Sequence, residues 1–214
     1  MKNKQNYFQI KALSWSAIKR NNKPYAGSIG FLDAIKLGSY FDALATNPDF
    51  IFEESMYWNE SEMWWEGMDI ELYQKAKDMY ISLCNSNVWK QFLEQKPTFQ
   101  HEWFGTKTIN GTEINVKCKP DGYIPNKIIM ELKSTKETTS EGFKKAMRAL
   151  GYNGGGVWYL DICPANTFLC IGVSKTFPYE VFSFEFEKHS EVYFALSAKI
   201  ENKLSKMENL EIYK

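Results

Sequence analysis

The chain predicts a mixed α/β fold in which helices come first, a mixed sheet follows, one helix crosses that sheet and another closes the chain. Three observations carry this. Two segments, 30–46 and 69–96, place apolar residues at helical spacing: Phe31, Ala34, Ile35, Gly38, Phe41, Leu44 and Ala45 in the first, and Ile70, Tyr73, Ala76, Tyr80, Leu83, Val88, Phe92 and Leu93 in the second. From residue 98 onward, the stretches 98–105, 113–120, 127–134, 167–174 and 179–186 alternate or run apolar in the manner of strands. Between the third and fourth of these lies a helical stretch at 140–150, then a glycine run and a further helical turn through Trp158. With 214 residues, 44% hydrophobic and 16% aromatic, the chain fits one domain with an ample core. Its parts are a mostly helical 1–96, a sheet with its crossing helix at 97–186, and a C-terminal helical part at 187–214.

Residues 1–12 read as a loose or partly paired lead. Ser14 caps a short helix that runs to Lys19 or Arg20, stopped by Asn21, Asn22 and Pro24. The segment 47–69 combines Phe50, Phe52, Tyr57, Trp58, Trp64 and Trp65 with Glu53, Glu54, Glu60, Glu62 and Glu66. It reads either as a stacking platform for bases or as a flap or subunit contact; its acids repel a phosphate backbone. Pro97 ends the long helix. A final helix closes the chain over 187–208, with His189 at its start.

Formal net charge is zero and the sequence pI is about 6.7, which excludes a wholesale basic nucleic-acid binder. A local basic track is still present: Lys117, Lys119, Lys133, Lys136, Lys144, Lys145 and Arg148. No apolar leader follows Met1 and no run approaches the ~18 apolar residues of a membrane span, so a cytoplasmic location is expected. Cys84, Cys118, Cys163 and Cys170 have no zinc-knuckle spacing and are expected as reduced, mostly buried thiols. Of the two histidines, His101 adjoins Glu102 and reads as a supporting residue.

The chemistry concentrates in Lys117–Thr135, KCKPDGYIPNKIIMELKST. Alternation along a strand puts Glu131 and Lys133 on one face, with Ile128, Met130 and Leu132 directed into the core, and puts Lys117, Lys119 and Asp121 on one face of the preceding strand. Gly122, Pro125 and Asn126 supply turn chemistry that pairs the two strands and sets Asp121 beside Glu131. Hard Mg²⁺ or Mn²⁺ binds carboxylates while keeping waters and substrate phosphate oxygens. Asp121 and Glu131 can therefore hold such an ion. Lys133 can orient or help deprotonate an attacking water. An ionised pair inside an apolar strand is costly without such a task.

These residues resemble the PD-(D/E)xK nuclease superfamily, with Pro120-Asp121 and Glu131-Leu132-Lys133 as the two signature pieces and a restriction-endonuclease-like core as the implied fold. More narrowly the chain resembles phage-type exonucleases of the RecE group, relatives of lambda exonuclease, over roughly 10–165. ALSWSAIKR, AIKLGSYFDALATNPDF, HEWFG and FKKAMRALGYNGGGVWYLD carry that likeness. It implies a deoxyribonuclease with one or two divalent ions acting on duplex DNA ends, the Leu132 carbonyl, Glu102 and Asp42 as further metal ligands, and Tyr152 and Tyr159 beside the active site. It also implies a single-strand annealing partner and a homo-oligomeric ring. Iron–sulfur relatives group three cysteines tightly near the C-terminus, which this chain does not. Two positions depart from the pattern: Asp42 stands where relatives often carry histidine, and Gly155 where they carry glutamine. Other readings of the same core are a restriction-like or repair endonuclease and a catalytically weakened DNA-end-binding or assembly protein.

Overall fold

The structure, a computed structural model, describes residues 7–20, 29–47, 69–207 and 210–214. Almost all of the aromatic and acidic stretch at 47–69 lies outside the described residues, as do the Asn21–Asn22–Pro24 stop and most of the opening lead.

The helical first part holds α1 (Trp15–Arg20), α2 (Ile29–Thr46), α3 (Ile70–Asn85) and α4 (Asn87–Glu94). The predicted single helix over 69–96 is two helices because Ser86 leaves the helical conformation at φ −75°, ψ 143°. Its hydroxyl donates to the Leu83 carbonyl at 2.7 Å and accepts the Trp89 N–H at 3.4 Å, so one side chain ends α3 and caps α4.

Two sheets follow. β2 (Trp103–Ile109) and β3 (Thr112–Cys118) form a separate two-stranded ladder turned at Asn110–Gly111, both with positive φ. The main sheet has the order β1-β4-β5-β6-β7, built from β1 (Thr98–Phe99), β4 (Gly122–Ile124), β5 (Ile128–Thr135), β6 (Thr167–Ser174) and β7 (Val181–Glu187). The expected pairing of 113–120 with 127–134 is thus corrected. Pro120 has no N–H to give a ladder, so the strand ends at Cys118 and the chain resumes pairing only at Gly122. Gly122 opposes Met130 in an antiparallel register. Asp121, one residue outside that register, still falls beside Glu131.

β5 and β6 are parallel, joined across one face by α5 (Ser140–Ala149) and α6 (Tyr152–Ile162). The last helix, α7 (Glu191–Leu204), starts later than expected. His189 at φ 66° stands before it, and Ser190 caps it by accepting the Tyr193 N–H.

Both faces of β5 are covered. Ile129 joins Phe143, Val157, Trp158, Phe168 and Ile114 on the α5–α6–α7 side. Met130 and Leu132 join Leu37, Phe41, Met79, Leu83 and Trp89 on the α2–α3–α4 side. Ile128 is only half-buried. By parity Glu131 and Lys133 share the side of Ile129, beneath α6. No described helix is long and apolar enough to cross a membrane.

Candidate active site

Three features of β5 build the centre. First, β4 stops at Gly122, so beyond Met130 the outer edge of β5 has no strand partner there. The Asp121 carboxylate fills the gap: its Oδ2 accepts the Leu132 N–H at 2.7 Å. Within a strand the N–H and C=O of one residue point to the same side, so the Leu132 carbonyl faces the edge that Asp121 occupies. Second, Lys133 Nζ donates to Glu131 Oε1 at 2.7 Å and stands 3.7 Å from Asp121 Oδ2. Third, Glu131 is buried, and among the described residues its second oxygen, Oε2, has no hydrogen-bond partner.

The electrostatics follow. Burial pushes the Glu131 carboxyl up to about 7, and the Asp121 charge adds to this while Lys133 and Lys19 oppose it. Burial also pushes Asp42 up to about 8, with Asp121 and Glu131 adding and Lys133 and Lys119 opposing. For Lys133, burial works against the ammonium, but the Glu131 and Asp121 carboxylates outweigh it and hold the group well above the ordinary lysine range. The site is a cluster of carboxylates whose repulsion Lys133, helped by Lys19 and Lys119, only partly offsets.

Gln100 is the residue that sequence reasoning missed. Its side-chain Nε2 lies 3.3 Å from Asp42 Oδ2, 3.3 Å from Asp121 Oδ1 and 3.4 Å from Thr46 Oγ1. Its backbone N–H donates to the Asp121 carbonyl. A φ of 53° between β1 and β2 turns it inward, a conformation that no motif announces. Gln100 is what joins α2, through Asp42, to the hairpin acids.

Glu102 is placed differently from its neighbours. It is exposed and pairs with Lys119 at 3.3 Å. Lys117 does not belong to a basic track. Its Nζ donates to the carbonyls of Tyr7 at 2.7 Å and Ile10 at 2.8 Å in a buried setting, and burial lowers its pKa. The reason is again Pro120: with the strand over at Cys118, Lys117 and Asp121 are no longer on one face. Lys136, Lys144, Lys145 and Arg148 are exposed, with Lys145 facing Glu141 along α5. Tyr152 and Tyr159 do flank the centre. The Tyr152 ring lies 5.3 Å from Lys133 Nζ, and burial first, then Glu131 and Asp121, raises the Tyr159 hydroxyl well above its ordinary range. His101 is exposed and lies against Trp103 and Tyr123. All four cysteines are free thiols.

The donor set fits a hard divalent ion. Among the described residues no three His, Cys, Asp or Glu side chains form a ready-made cage. Two carboxylates and a carbonyl on one edge, with water and phosphate completing the sphere, are what Mg²⁺ accepts. The buried, unpartnered Glu131 Oε2 is an acceptor in want of a cation.

A family described as a PDDEXK-like domain of unknown function (DUF3799) matches residues 25–211. Among solved structures, a candidate exonuclease from Eubacterium rectale superposes with a TM-score of 0.63 at 16% identity, over 95% of this chain and 81% of that one. A phage-related exonuclease from Haemophilus somnus gives 0.46 at 10% identity, over 94% and 93%. An alkaline exonuclease from Laribacter hongkongensis gives 0.41 at 11%, over 96% and 91%. No curated protein matches the chain. The first of these likenesses shows the shared fold.

Proposed function

This chain belongs to the PDDEXK-like family DUF3799, and from that premise we propose that it is a Mg²⁺- or Mn²⁺-dependent deoxyribonuclease that hydrolyses duplex DNA from its ends. The observation that carries the reading is the convergence of Asp121, Glu131 and Lys133 on the open edge of β5 at Leu132. When bound there, a divalent ion supplies Lewis acidity toward a phosphate oxygen and lowers the pKa of a coordinated water.

The protein groups do the remainder. Asp121, Glu131 and the Leu132 carbonyl hold the ion, and Asp42, tied in through Gln100, extends the carboxylate surface. Lys133 keeps its proton, because the two carboxylates beside it favour the charged form. Its part is to donate: it orients the attacking water and meets charge developing on the phosphate. Tyr152 and Tyr159 wall the site on the α6 side and place the strand against it. Exposed Lys136, Lys144, Lys145 and Arg148 offer phosphate contacts without base readout. End resection of this kind leaves the single strand that an annealing protein takes up, which sets the activity in phage-type recombination. A weakened, end-binding role is a second reading, supported by Gly155, which leaves the site face of α6 without a side chain between Tyr152 and Tyr159.

The test compares linear, nicked and closed circular duplexes with Mg²⁺, with Mn²⁺ and with EDTA. Release of nucleotides from linear duplex alone, abolished by EDTA, is the expected result. Cutting of closed circles would replace the exonuclease by an endonuclease. Metal-independent binding to ends without hydrolysis would favour the weakened reading.

A further inference from the structure

The short helix α1 is locked onto α6 by shape. An added Cβ at Gly154 would lie 2.3 Å from Trp15 Cη2, and one at Gly155 would lie 2.9 Å from Trp15 Cδ1 and 3.1 Å from Trp15 Nε1. The indole therefore sits in a cradle that exists only because both residues lack side chains. Among the described residues its buried N–H has no hydrogen-bond partner, and contact with the two glycines holds the ring. Tyr152, Gly155 and Tyr159 fall on one face of α6 by helical spacing, the face turned to Lys133 and Glu131. Trp15 fills the space that a side chain at 155 would take on that face.

One turn along α1 from Trp15 is Lys19. Its Nζ stands 4.6 Å from the centre of the Tyr152 ring, which Lys133 Nζ also approaches at 5.3 Å. Its aliphatic stem runs over Gly151, 3.7 Å from where a Cβ there would be. The Lys19 carbonyl accepts from Lys203 Nζ at 3.0 Å, which anchors the end of α1 to α7. Lys19 is exposed, yet its charge is felt at Glu131. An exposed ammonium fixed at the rim of a buried carboxylate site meets the polyanion before the carboxylates do.

We propose that Lys19 is a substrate-binding residue that takes a phosphate flanking the scissile one, and that Trp15, seated in the Gly154–Gly155 cradle, is the positioning residue that holds it there. The inference rests on the nuclease reading for its substrate, but it is tested by binding as well as by cleavage.

The probe is a blunt 20-base-pair duplex. Binding is followed by anisotropy in EDTA across a salt series, cleavage in Mn²⁺ at saturating DNA, and folding by thermal melting. Lys19→Ala should weaken binding about fivefold and reduce the salt slope by about 0.9, one phosphate contact. Lys19→Arg should restore binding and slope. Trp15→Ala and Gly155→Ala should each weaken binding as Lys19→Ala does, and Trp15→Phe, which keeps a ring in the cradle, should weaken it least. Trp15→Ala added to Lys19→Ala should cost less than twofold more, because the two act through one contact. If Trp15→Ala does not fold, the Lys19, Trp15→Phe and Gly155→Ala variants decide. Unchanged binding and slope in Lys19→Ala would overturn the proposal, and fully additive losses would overturn the role of Trp15. A wild-type protein that binds, loses binding on Lys19→Ala, but never cleaves would uphold this inference and refute the nuclease.

Discussion

A lysine–carboxylate group stands on each of two sides of α6, and the two are built to opposite rules. On the side away from the centre, Asp161 has both oxygens engaged: Oδ2 by Lys107 Nζ and Oδ1 by the Tyr193 hydroxyl. Lys107 also lies 5.1 Å above the Trp158 ring. On the other side, Glu131 has one oxygen on Lys133 and the other, among the described residues, on nothing, while Lys133 is shared with Asp121. Asp161 is a finished structural link between α6, β2 and α7. Glu131 is an unfinished one, held buried and short of partners. A buried carboxylate without full compensation costs stability, and such a cost persists where a ligand completes the site. The contrast separates function from structure better than residue type does, since both groups are acid–lysine pairs.

The sharpest way to break this comparison is to remove the charge on each side. Asp121→Ala and Glu131→Gln should each lower DNA hydrolysis by at least about a thousandfold, while thermal melting of the metal-free protein stays level or rises, because repulsion is relieved. Asp161→Asn should leave hydrolysis within about twofold. Equal activity losses on the two sides would show that the difference in partner count carries no functional meaning.

Lys133→Ala comes next. Turnover at saturating Mn²⁺ should fall by about two to four orders of magnitude, the usual worth of a positioned polar catalyst. Ion affinity, read by calorimetry with non-hydrolysable DNA, should hold or increase, since a competing ammonium has gone. Weaker ion binding with normal turnover would turn Lys133 into a structural partner like Lys107.

The pH dependence of stability sharpens the comparison further. Glu131 and Asp42 both have folded-state values above their ordinary ones, about 7 and about 8. Between pH 4 and 8 the folded, metal-free protein therefore binds more protons through these groups than the unfolded chain does. Their contribution favours folding at acid pH and is lost as pH rises through that window. Asp42→Asn should flatten the fall in melting temperature across pH 5–8, and Mg²⁺ should stabilise the wild type more at pH 8 than at pH 6. A slope unchanged in Asp42→Asn would show that this acid is already balanced.

The smallest effect belongs to the finished side. Lys107→Ala should lower stability by about 1 kcal/mol, the worth of a partly buried pair, with no change in DNA affinity. Loss of DNA binding there would place a phosphate contact where none is assigned.

Much of this was legible in the sequence. The helices α1 and α2, strands β6 and β7, and the crossover between β5 and β6 follow from periodicity and capping, and the KCKPDGYIPNKIIMELKST segment announced the acids and the lysine. What was not legible depends on single backbone events. Pro120 moved β3 into its own ladder, which took Lys117 out of the basic track. Ser86 cut one helix into two. Gln100 enters the site through a positive φ, and the fit of Trp15 into Gly154 and Gly155 joins residues far apart in sequence. Short-range pattern reports which residues repeat along an element; it is silent on what a turn sends inward or which distant ring fills a glycine's space.

The parallel register of β5 and β6 has a consequence for timing. Ile128 through Met130 pair with β4, close by in the sequence, but Glu131 through Thr135 gain a strand neighbour only at Cys170 through Ser174, beyond α5 and α6. Pairings of this separation form late, because a long loop must close before any contact rewards it. A nascent chain that has emerged only as far as α5 already carries Asp121, Glu131 and Lys133, but not the strand that fixes their geometry. The acids and the lysine are therefore present along the chain before β6, the parallel neighbour of Glu131 and Lys133, has been made.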